Sequence, residues 1–88
     1  MNWETLHAQF GAYLQLERAL SPHSIAAYTG DVSKLQQFLA LSYSPVPEPL
    51  ALTPTHLQQL IAYLHGLGLS ATSQALILSA LRAFFNFL

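Results

Sequence analysis

Apolar residues recur at three- and four-residue spacing in four blocks of this chain, and Ser-Pro, Thr-Pro and glycine punctuation separates the blocks. The first block predicts a helix over about Trp3 to Arg18, with Trp3, Leu6, Phe10, Tyr13 and Leu14 along one face. Ser21-Pro22 opens a second helix, with Ser as N-cap and Pro at the first helical position, where its missing N–H costs nothing. Ile25, Tyr28, Val32, Leu35, Phe38 and Leu39 form its buried stripe, and Gly30 inside it costs about 1 kcal/mol relative to Ala. In SYSPVPEPLALTP, Pro45, Pro47 and Pro49 forbid helix and central strand and favour an extended connection. Thr53-Pro54 opens a third helix with Leu57, Leu60, Ile61 and Leu64 inward, and Gly66 and Gly68 end it.

Ser70 caps a fourth helix of a different kind. At 100° per residue, Leu76, Ile77, Leu78, Ala80, Leu81, Phe84, Phe85, Phe87 and Leu88 spread over more than half its circumference, leaving a polar strip of Thr72, Ser79, Arg82 and Asn86. Such a helix is the centre of its own bundle or has a second partner on its far side. The pattern favours the centre. No run of alternating residues suggests a sheet, and the Pro-rich connection is too short to divide domains. Residues 1–88 therefore read as one all-α domain, a four-helix bundle.

Composition sharpens this picture. Apolar residues make up 52% of the 88 residues and charged residues 8%, against about 25% in an average globular chain. So little solubilising charge fits a piece with a covered face or an obligate partner. The chain has no cysteine, which removes disulfide and thiolate chemistry and is compatible with a reducing cytoplasm. MNWETLHAQF has no basic segment followed by an apolar one, as a signal peptide would, and no apolar stretch approaches the roughly 20 residues that cross a bilayer. The expectation is a soluble, cytoplasmic protein with no membrane partner. The closing ILSALRAFFNFL has no Gly or Asn past its last turn and no basic residue within it. That bare end predicts a chain cut from a longer one.

Catalytic chemistry finds no constellation. Glu4, Glu17, Asp31 and Glu48 contain no pair at a spacing that would converge an acid and a base. His7, His23, His56 and His65 lack the i, i+4 pair with an intervening Glu of zinc hydrolases, and are expected at the surface or near helix ends. Gly66-Leu67-Gly68 is a helix stop with no strand before it, so it does not cradle phosphate. No enzymatic activity, cofactor, metal or small-molecule substrate is expected of this chain.

Two stretches, YLQLERALSPHSIAAYTGDVSKLQQFL and LSATSQALILSALRAFFNFL, carry a resemblance. Leu16-Glu17-Arg18, Leu20-Ser21, Ser24, Ala27-Tyr28 and Asp31, then Ala71-Thr72-Ser73, Ala75, Leu78-Ser79-Ala80, Arg82, Phe85 and Leu88 occur in the order seen in the N-terminal core-binding, SAM-like domain of Xer-type tyrosine recombinases. The chain resembles that phage-integrase-like family, and its XerD-like branch, over nearly its whole length. The resemblance implies a four-helix SAM-like fold, binding to a double-stranded recombination site, and assembly with other recombinase protomers in a homo- or hetero-tetramer on DNA. It also implies a C-shaped clamp whose other half, a catalytic domain with a tyrosine nucleophile, lies outside this chain, and a part in DNA integration or recombination such as chromosome dimer resolution.

By position, the resemblance makes His23 and Ser24 on the second helix and Thr72, Ser73 and Gln74 on the fourth the DNA-binding candidates, with Lys34 and Arg82 as phosphate contacts. Hydroxyls and helix N-terminal amides suit phosphates, and Gln suits an adenine edge. The chain departs from the family at Thr29, Gly30 and Leu76, where basic residues are common. Net charge is −1 with three fixed cations, Arg18, Lys34 and Arg82, so the expected DNA affinity is weak and little dependent on sequence. The alternative is a helical module that docks a protein through its apolar surface.

Overall fold

The computed structural model describes residues 2–88, and among them it forms four helices and no strand. They are α1 (Trp3–Leu16), α2 (Pro22–Ser42), α3 (Pro54–Gly66) and α4 (Ala71–Phe87). The all-α bundle expected from periodicity is the observed architecture. Among the described residues no helix is long and apolar enough to cross a membrane.

The caps explain where the helices start. Asn2, Ser21 and Ser70 each accept the backbone N–H three residues on, from Thr5 at 2.8 Å, Ser24 at 3.2 Å and Ser73 at 3.1 Å. At α3 the reciprocal partner is a histidine, since the Thr53 N–H donates to His56 Nδ1 at 2.9 Å. His56 takes the place that Glu or Gln fills in the usual capping box.

Helix α1 stops at Leu16, two residues before the expected Arg18. The chain reverses through Ala19, whose φ of 51° lies in the left-handed region, and the Leu20 N–H returns to the Leu14 carbonyl at 3.1 Å. This turn carries Leu20 back against the core. The Pro-rich connection is extended on either side of a short 3-10 turn at Pro49–Ala51. It is tied down by the Trp3 indole, which donates to the Pro47 carbonyl at 2.8 Å, and by Pro49, which is buried.

Helix α4 is the centre of the bundle, packed by α1, α2 and α3. Phe84 is fully buried at the meeting point, with Phe10 edge-on at 5.2 Å and Trp3 stacked at 6.0 Å. Leu14, Val32, Leu35, Leu39, Leu60 and Leu81 are among the core residues around it. The predicted stripes hold for α1 and α2 apart from their margins, where Tyr13, Ile25 and Tyr28 are half-buried. On α3 only Leu60 and Leu64 are buried, while Ile61 is 40% exposed, because α3 meets the bundle along a narrow line.

Candidate nucleic-acid interface

Helices α2 and α4 begin with the same local device. Ser21-Pro22-His23-Ser24 and Ser70-Ala71-Thr72-Ser73 each place two serines three residues apart, and the first hydroxyl donates to the second at 3.1 Å in both. The first serine satisfies a first-turn amide, and the second hydroxyl, half-buried, accepts from the first. A hydroxyl beside the free N–H groups and positive dipole end of a helix suits a phosphate oxygen.

The body of α2 presents a smooth outer face. His23 and Lys34 are both exposed and eleven residues apart, so they share nearly one azimuth, separated by about 16 Å. Between them lie Ala26, Ala27 and Gly30, also exposed. A groove of about 560 Å³ runs between this face and α4, lined by those three small residues, Asp31 and Lys34 on one side and by Ser73, Leu76 and Ser79 on the other. The Lys34 ammonium is held at 3.2 Å by the Asp31 carboxylate, an exposed pair that contributes little stability and offsets the one fixed cation lining the groove.

The groove brings Lys34 and Ser73 together, and the first turn of α2 places His23 and Ser24 at one end of the same helix. The other candidates diverge. Thr72, Ser73 and Gln74 are consecutive and fan out by 100° each around α4. Thr72 is exposed, whereas Gln74 is half-buried and donates its Nε2–H back to the Leu69 carbonyl at 3.0 Å. Arg82 lies nine residues from Ser73, on the opposite side of α4. It lines a separate groove of about 390 Å³ between α3 and α4, with Leu57, Ile61, Leu78 and Phe85.

Two of the positions where the chain departs from its resemblance, Gly30 and Leu76, both line the α2–α4 groove. Nothing stands within 4 Å of a Cβ built on Gly30, and Leu76 is 62% exposed. Thr29, the third, turns its hydroxyl onto the Ile25 carbonyl at 2.8 Å.

His7 corrects the expectation that the histidines lie at the surface or at helix ends. It is half-buried in mid-helix, donates Nε2–H to the Thr29 carbonyl at 2.8 Å, and lies 3.1 Å from Ser33 Oγ, so it fastens α1 to α2. The signal for this was in the spacing, since position 7 falls on the 3-7-10-14 stripe of α1. His56 and His65 sit in the first and last turns of α3, as expected. Among the described residues no three His, Asp or Glu gather as a metal cluster.

Residues 8–88 match the family described as phage integrase, N-terminal SAM-like domain. The chain is 40% identical over 85 residues to tyrosine recombinase XerC 1 of Ralstonia nicotianae, covering 93% of this chain and 26% of that protein. It is 33% identical over 84 residues to tyrosine recombinase XerD of Staphylococcus saprophyticus, covering 96% and 28%. It is 37% identical over 83 residues to tyrosine recombinase XerC of Shewanella oneidensis, covering 91% and 25%. The chain thus spans about a quarter of the length of these relatives. No solved structure matches it.

Proposed function

Since this chain belongs to the phage integrase N-terminal SAM-like family, we propose that it is the core-binding domain of a site-specific tyrosine recombinase, a non-catalytic half-clamp that lies on double-stranded DNA through the first turns of α2 and α4 and the groove between them. The observation that carries this reading is the family match over residues 8–88, which takes in α2, α3 and α4 whole. The chain is a fragment of a longer cytoplasmic recombinase whose catalytic domain closes the other side of the duplex, and its partners are other protomers on the recombination site. Recombination, in a chromosomal role such as dimer resolution, belongs to that larger protein.

The electrostatics set how this half-clamp behaves alone. Three fixed cations neutralise at most about three phosphates, so the slope of log K against log salt is no steeper than about −2.7. Titration against a duplex carrying a Xer-type half-site and against scrambled duplex, at about 50 and about 200 mM salt, will show weak binding that falls by no more than about 40-fold between the two salts. A tight, salt-resistant complex would contradict the proposed division of labour.

A second reading has its own observation. Leu41 and Leu67 are 76% and 58% exposed beside Phe38 and Tyr63 at the far end of α2, an apolar surface that suits a protein contact. Self-association with no DNA response at either salt would favour that reading over the first.

A further inference from the structure

Leu76 is the only large apolar side chain in the first three turns of α4 that packing does not account for. Ile77 and Leu81 are buried and Leu78 half-buried, while Leu76 is 62% exposed. It stands among three hydroxyls, with Thr72 and Ser73 one turn before it and Ser79 one turn after. The α2 wall of the groove carries Ala26, Ala27 and Gly30 together with Tyr28, Asp31 and Lys34, yet Leu76 stays exposed, and a Cβ at Gly30 would meet nothing. The nearby cation, Lys34, is engaged by Asp31. The groove therefore offers a partner one protruding apolar group, a rim of hydroxyls and little free charge.

We propose that Leu76 is a specificity-determining residue that reads the C5 methyl of thymine in the major groove, an inference that rests on the DNA-binding function proposed above. Every base pair presents donors and acceptors in the major groove, but only thymine presents an apolar group there. A leucine makes no hydrogen bond, so against guanine, cytosine or adenine edges it desolvates polar atoms without replacing their partners. Against a thymine methyl it removes apolar surface from water on both sides, worth about fourfold in affinity per buried methyl. The surrounding hydroxyls can hold phosphates or base edges while the leucine does this. The weak electrostatic background makes a discrimination of that size visible.

The test uses this chain at about 50 mM salt with four alternating 20-base-pair duplexes: dA·dT, the same with uracil for thymine, dG·dC, and the same with 5-methylcytosine. The first pair removes the methyl and the second adds one at the same position. Binding about fourfold weaker to the uracil duplex and tighter to the 5-methylcytosine duplex, with both differences lost in Leu76→Ala, is the expected result. Methyl-independent binding by the wild-type chain, or the same methyl response in Leu76→Ala, would overturn the inference and leave the DNA-binding reading standing. No binding of any duplex would remove both. Sedimentation of the two proteins supplies the remaining arm, because a dimer that dissolves in Leu76→Ala would make this leucine a contact between copies and overturn its role on DNA.

Discussion

Ala19 occupies a backbone conformation that favours glycine, with φ at 51°. The left-handed region costs an L-residue with a Cβ roughly 1–2 kcal/mol, and glycine loses about 0.5–1 kcal/mol more chain entropy than alanine on folding. Ala19→Gly will therefore stabilise the domain by about 0.5 kcal/mol, a rise of roughly 2–4 °C in Tm by calorimetry. A fall in Tm would mean that the turn is held without strain. The break between Arg18 and Ser21 was legible, but nothing in ERALSP announces a left-handed Ala19, because neither Gly nor Asn stands there. The caps were legible for the opposite reason, since Ser21 and Ser70 act on amides only three residues away. The Trp3–Pro47 and His7–Thr29 hydrogen bonds join residues 44 and 22 positions apart, and no local pattern specifies such partners.

At the scale of the element, α4 shows why an apolar circumference is needed in the middle of a bundle. Its inner residues meet three helices at once, and Phe84 is where α1 and α4 interlock through Trp3 and Phe10. Truncation of such a ring costs about 3–5 kcal/mol, against a total of roughly 4–13 kcal/mol for a domain of this length. Phe84→Ala will lose most of its cooperative urea transition, whereas Phe84→Leu, which keeps more of the volume, will retain one with a lower midpoint. Retention of the full transition by Phe84→Ala would show that the cluster closes around the gap. The candidate DNA-binding residues on this helix were less legible than its core. Three consecutive positions, Thr72, Ser73 and Gln74, cannot all face one duplex, and only the structure separates the exposed Thr72 from Gln74, which bonds to Leu69.

For the molecule as a whole, the governing fact is the scarcity of free charge on the face between α2 and α4. Gly30 offers the cleanest place to change it, since a side chain there meets open space and the helix gains by losing a glycine. Gly30→Lys will steepen the salt dependence of duplex binding by about 0.9 in log–log slope, while Ala62→Lys on the exposed side of α3 will change it less. Equal effects at the two positions would place the duplex elsewhere on the bundle. The sequence contains one tryptophan, and that residue is bonded to the Pro-rich connection and stacked on the central phenylalanine. Its fluorescence is thus a built-in optical gauge of whether α1, α4 and the connection remain assembled. Each variant can be titrated and checked for integrity in the same cuvette, without a dye, so a lost signal on DNA can be told apart from a lost fold.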